Sequence, residues 1–251
     1  TIIVTDGTEF VSYSVDTIGK VYDETAAFKN DDSAYDKEVK VYGVLSNGLK
    51  VQLSYAGGYY SLSAPSNSRV HNDLVNNGVL NVDAALDYPA DKDEIVVPIT
   101  VTINRTGETF TQDVTFSKAT PKVTALKFVD TATDANAGAK TTYEVSGGTL
   151  NLIDLVNGNT AWRLVATDQY GVNAYVDETT FNVTFPDTTE ANNIALTFVV
   201  KKLNGDINIT GNGTSAASVS GIDRYESFEV VVTYGSDAGT ASTTITVTRQ
   251  Q

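Results

Sequence analysis

At 251 residues the chain has room for one large domain or two ordinary ones. Its 17 Lys plus Arg stand against 31 Asp plus Glu, a formal net charge of −14 with a pI near 4.3; that field repels phosphate backbones and anionic lipid, so the expected partners include no nucleic acid and no membrane insertion, while divalent cations and neutral or basic polymers stay open. Cysteine and methionine are both absent, which excludes disulfides, thiol catalysis and thiolate metal sites.

Residues 1–5 (TIIVT) resemble the closing strand of the chain, residues 244–248 (TITVT). Residues 1–9 therefore read equally as the end of a preceding domain or as an ordinary first strand. The missing initiator Met is expected of a processed or excised segment, with any export signal outside it. An alternating strand follows at residues 10–17 (FVSYSVDT), matched later by residues 123–131 (VTALKFVDT). Residues 41–53 (VYGVLSNGLKVQL) and 164–176 (LVATDQYGVNAYV) each read as two apolar alternating runs around a turn glycine, Gly48 or Gly171. Residues 60–65 match 181–186, and residues 77–82 (NGVLNV) match 204–209 (NGDINI). Residues 94–116 (EIVVPITVTINRTGETFTQDVTF) and 225–248 are the strongest hairpins, with Val and Thr at alternate positions on either side of Gly107 and Gly239. Period-two alternation puts one set of side chains on a core face and the other in water.

The repetition identifies two copies of one unit. Their expected bounds are 1–120 and 121–251, with the join at Ala119, Thr120, Pro121 and Lys122. Acid is shared between the halves, 17 acidic against 9 basic residues in the first and 14 against 8 in the second, so neither is a charged tail. Six to eight short strands per copy, separated by Asn-Gly, Gly-Gly and Pro signals, predict an all-β fold of two tandem immunoglobulin-like β-sandwich domains. Helix is expected only as a turn or two, at residues 23–35 and 69–77.

Chemistry is sparse. His71 is the single histidine, in a polar segment, and there is no G-x-S-x-G elbow, Walker loop, dinucleotide fingerprint or H-E-x-x-H, so the chain is not read as an enzyme. Calcium takes six to eight oxygen ligands, and three acidic clusters are candidates for it: Asp31, Asp32, Asp36 and Glu38; Asp87, Asp91, Asp93 and Glu94; and Asp130 with Asp134 and Asn136. None follows the EF-hand spacing, and solvated acidic loops explain the same residues. Tyr55, Tyr59 and Tyr60 around Gly57 and Gly58 offer a stacking surface for sugar, while Trp162 reads as a core residue of the second unit. Asn104, Asn182, Asn208 and Asn212 each begin an N-x-Ser/Thr triplet of the kind that an Asn- and Thr-rich chain produces by chance.

Tandem acidic, cysteine-free sandwiches joined by residues 114–130 (VTFSKATPKVTALKFVD) resemble the assembly region of the surface-layer proteins of Bacillaceae. The resemblance implies immunoglobulin-like domains in series, secretion to the bacterial cell surface, self-assembly with copies of the same chain and with neighbouring domains into a two-dimensional lattice on the cell wall, and Ca²⁺ as cofactor. The homology modules by which such proteins attach to wall polymer have no counterpart in these residues. The alternative is a carbohydrate- or ligand-binding module of a bacterial adhesin or secreted polysaccharide-active enzyme.

Overall fold

The computed structural model describes residues 10–23, 34–66, 78–80, 82, 86–129, 134–156, 163–177, 182–186, 195–236 and 239–249. The chain divides into two compact units, Thr1–Thr120 and Pro121–Gln251.

The first unit contains β1 (Phe10–Val15), β2 (Val21–Tyr22), β3 (Lys37–Glu38), β4 (Val41–Leu45), β5 (Lys50–Gln52), β6 (Tyr60–Ser63), β7 (Val79–Leu80), β8 (Glu94–Ile103) and β9 (Thr109–Ser117). One sheet has the order β1-β4-β5, a second β2-β9-β8-β6, and β3 pairs with β7. The β8–β9 hairpin keeps an unbroken register from Glu94↔Ser117 to Thr102↔Thr109. Along β8 the alternation is clean: Val97, Ile99, Val101 and Ile103 are buried, and Val96, Pro98, Thr100 and Thr102 face the other way. Those four join Val114, Phe116, Leu62, Val41 and Val21 in one core; burying each such side chain contributes about 1.5–3 kcal/mol. Short β2 runs parallel to the last strand, Val21↔Phe116, while β1 pairs antiparallel with β4. The N-terminal stretch thus passes from one sheet to the other.

The second unit repeats that plan. It contains β10 (Val123–Val129), β11 (Ala139–Lys140), β12 (Thr142–Val145), β13 (Thr149–Asn151), a 3₁₀ turn (Leu152–Leu155), β14 (Arg163–Asp168), β15 (Asn173–Tyr175), β16 (Ala195–Asn204), β17 (Asn208–Thr210), β18 (Ser218–Ser220), β19 (Ser227–Ser236) and β20 (Gly239–Arg249). The sheets are β11-β10-β14-β15, β12-β20-β19-β16 and β13-β18-β17. Here β12 is the strand parallel to the last, Thr142↔Thr246, as β2 is in the first unit. Phe128, Leu164, Phe198, Phe228, Val230, Ile245 and Val247 form the centre of its core. Both units are all-β, immunoglobulin-like sandwiches.

The predicted hairpins of each unit are present. The β4–β5 and β14–β15 hairpins turn at Gly48 and Gly171, both at φ 83°, the left-handed region that glycine enters without steric cost. Elsewhere the copies diverge. Residues 60–65 and 181–186 match in sequence, yet β6 pairs with β8, whereas Val183 makes an isolated bridge to Val176 and the strand that pairs with β19 is the ten-residue β16. Most of the two stretches with helical expectation, along with the 1–5 strand, lies outside the described residues.

Candidate functional site

A concave surface lies beside the β4–β5 hairpin. Its register places Tyr42 opposite Gln52, and Gly48 N–H donates to Leu45 O at 2.8 Å to close the turn. Beyond β5 the chain folds into a tight turn: Gly57 N–H donates to Ser54 O and Gly58 N–H to Tyr55 O, with Gly58 at φ 69°. That turn brings Tyr55 back against Tyr60, ring centroids 5.3 Å apart and edge-on. Tyr60 is 4% exposed and its hydroxyl donates to Val39 O at 3.0 Å. Burial, helped by the negative charge of Glu38 and by Tyr55, pushes the Tyr60 phenol up to about 12, so it stays neutral and donating throughout the physiological range. Gly78, at φ 73°, is pressed against both rings; a Cβ there would lie 2.8 Å from Tyr55 Cβ and 2.9 Å from the Tyr60 hydroxyl.

Tyr55 and Tyr60 line a cleft of about 360 Å³ together with Glu38, Gln52, Leu53, Ser54 and Ala56. Gln52 Nε2 donates to Glu38 Oε1 at 2.8 Å, so β3 and β5 hold a planar amide and a carboxylate side by side. Glu38 also borders a second cleft of about 420 Å³, lined by Asp16, Thr17, Ile18, Gly19, Lys37 and Lys40. There the Tyr42 hydroxyl donates to Asp16 Oδ2 at 3.0 Å, and that bond raises the Tyr42 phenol above its ordinary value. Tyr59, the third of the predicted sugar tyrosines, is 36% exposed; its ring lies over Gly57, where a Cβ would approach it to 2.7 Å.

The acidic clusters fare differently. Asp31, Asp32 and Asp130 lie outside the described residues, as do His71 and Trp162. Asp36 is half-buried and Glu38 is held by Gln52. Asp87 and Asp91 are exposed; Asp93 pairs with Lys118 at 3.6 Å and Glu94 with Lys20 at 2.5 Å, both at the surface. Asp134 Oδ1 accepts the N–H of Asn136 at 2.8 Å and so closes its own turn. Among the described residues no three acidic or imidazole side chains converge to hold a metal ion. Calcium takes six to eight oxygens, and the described carboxylates of the three clusters do not by themselves converge on one point.

Two acids outside the predicted clusters carry structural roles. Asp23, fully buried, accepts Leu86 N–H at 3.2 Å and the Tyr88 hydroxyl at 3.0 Å on Oδ2. Asp168 Oδ1 accepts the N–H groups of Tyr170 and Val172 within the β14–β15 turn. Neither was visible in the sequence: an acid in a loop of an acidic protein reads as solvated, and only the fold shows which carboxylate is carried inward.

The class defined is a pair of immunoglobulin-like sandwiches bearing a shallow, aromatic-walled cleft on the first. No family model matches the chain. No curated protein matches it either. Among solved structures, domains 6–7 of surface layer protein SbsC share 15% identity over 95% of this chain and 98% of theirs, with a TM-score of 0.24. A SusE-like surface-located polysaccharide-binding protein of Bacteroides thetaiotaomicron shares 12% identity over 94% of this chain and 34% of its own, TM-score 0.28. Drosophila N-cadherin domains EC1–4 share 14% over 93% and 47%, TM-score 0.24. Among the described residues no helix is long and apolar enough to cross a membrane.

Proposed function

We propose that the chain is a structural, self-assembling segment of a bacterial surface-layer protein, exported to the cell surface, whose partners are copies of itself in a two-dimensional lattice. The observation that carries this reading is the character of the two broad sheet faces. In a protein of net charge −14, the outward face of β8 and β9 presents Val96, Pro98, Thr100 and Thr102 opposite Thr115, Asp113, Thr111 and Thr109. Val96 is 60% exposed. The outward face of β16, β19 and β20 presents exposed Val199 and Leu203 beside Val231, Thr233, Ser242 and Thr244, with its Lys201 and Glu229 neutralising each other at 3.5 Å. Of the acids on these strands' outward positions, Glu94 and Glu229 are paired with Lys20 and Lys201 and Asp113 stands beside Pro98, and a β surface of low net charge with exposed aliphatics suits contact with an equally acidic copy, since like charges placed directly opposite would oppose it.

Calcium enters this reading as the counter-ion of an acidic assembly, bridging or screening carboxylates between copies. The test is electron microscopy and light scattering of the purified chain in Ca²⁺ and in EGTA. Ordered sheets in calcium that disperse in EGTA are expected; a monomer at every concentration in both buffers would overturn the reading.

A further inference from the structure

We propose that the cleft between β3, β5 and the Tyr55–Tyr60 turn is a binding subsite for a neutral sugar ring, a function separate from lattice contacts. Three observations meet there. Its aromatic wall is the half-buried Tyr55, fixed in advance between Gly78 and the core residue Tyr60, whose hydroxyl is tied to Val39 O. A pyranose has an apolar C–H face that stacks on such rings, and a wall already ordered costs little conformational entropy on binding. The hydrogen-bonded Glu38 and Gln52 pair lines the same cleft. With Oε1 of Glu38 accepting from Gln52, the other carboxylate oxygen, the Gln52 carbonyl and its second N–H supply a row of two acceptors and a donor for a ligand. Vicinal hydroxyls of a sugar match such a row, and hydrogen bonds to an ionised carboxylate are the stronger kind. The cleft, at about 360 Å³, lies at the small end of the range for ligand pockets, about 300–1,000 Å³.

Charge selects among sugars. Glu38 faces this cleft, and the protein as a whole is strongly acidic, so a uronate or sulfated ring is repelled. Lys37 and Lys40 border the adjoining cleft, but Asp16 and Glu38 border it with them. The ligand is therefore a neutral ring of an oligosaccharide.

The second unit supplies an internal control. Its β14–β15 hairpin has the same turn glycine angle and an equivalent register, Val165 opposite Tyr175. Where the first unit carries Gln52 it carries Tyr175, whose ring is covered by the Arg163 guanidinium at 5.4 Å. A sandwich hairpin of this type is built without the amide and carboxylate pair. Glu38 and Gln52, both exposed, are thus surplus to the fold.

The experiment is isothermal titration of the whole chain with cellotriose, chitotriose and mannotriose, with trigalacturonate as the anionic comparison. At least one neutral trisaccharide is expected to bind saturably, with Kd on the order of a millimolar for so open a site. Glu38→Ala and Gln52→Ala, at surface positions, each weaken it about ten-fold with an unchanged melting temperature; Tyr55→Ala abolishes it. No saturable binding of any neutral trisaccharide, binding of trigalacturonate alone, or full binding by both surface variants would overturn the proposal. Sheet formation is read separately by microscopy, so this result and that of the lattice test stand apart.

Discussion

Buried carboxylates are where single residues matter most here. Asp23 satisfies the Leu86 N–H and the Tyr88 hydroxyl from inside the first unit, and leaving a buried donor unmatched costs about 1–3 kcal/mol. Asp23→Ala should therefore destabilise the first unit by about 3 kcal/mol in urea unfolding, far more than alanine at exposed Asp91, which serves as the control. Glu226 shows a different situation, a half-buried acid at the surface with a defined task. Its Oε1 accepts Asp206 N–H at 2.8 Å and its Oε2 accepts Asp223 N–H at 2.7 Å, and these bonds lower its pKa. A lowered folded-state pKa means stability that is fully present above the unfolded value and lost as pH falls through the folded one. The melting-temperature gap between the native chain and Glu226→Ala should be widest near neutrality and close below the usual carboxylate range. A gap that is constant with pH would remove the carboxylate from the account. Gly205, at φ 80°, makes room for this side chain, since a Cβ there would lie 1.9 Å from Glu226 Oε1.

At the scale of the element, the informative case is β16. It ends its sheet, and an uncovered edge is a template for pairing with another chain. A turn at residues 211–214 lies along it: Phe198 N–H donates to Thr214 O, Gly213 N–H donates to Phe198 O, and the Asn212 side chain accepts Val200 N–H at 2.8 Å. The edge is thereby occupied for two consecutive outward-facing backbone positions. Asn212→Ala frees the Val200 N–H, with a cost of about 1–2 kcal/mol, and should raise edge-to-edge association measured by light scattering without calcium. Association at the native level would show that the backbone bonds of the turn suffice alone. This asparagine opens one of the N-x-Ser/Thr triplets; its side chain has a structural partner.

For the molecule as a whole, the proposed assembly would be a contest between repulsion of acidic copies and burial of the low-charge faces. Val96→Glu and Val199→Glu place charge on those faces at exposed positions, so folding should be nearly untouched while sheet formation is lost. Moderate salt should promote association of the native chain, because the Debye length shrinks to about 10 Å at 0.1 M. Sheets that form equally well from both variants would move the contacts elsewhere on the surface.

Much of the architecture was legible in the residues alone. Alternation along residues 94–116 and 225–248, the glycines at 48 and 171, and the recurrence of these signals in the same order in both halves specified hairpins, an all-β class and a duplication. Those signals are local: a strand's two faces and a left-handed turn are imposed by neighbours a few residues away. What the fold alone decided are relations across long stretches of chain. Glu38 meeting Gln52, Asp23 reaching Leu86 and Tyr88, Asn212 closing the edge at Val200, and β16 taking the place opposite β19 all depend on which strands become neighbours. No spacing in the sequence encodes that, because sheet pairing is set by burial of a shared core and not by separation along the chain.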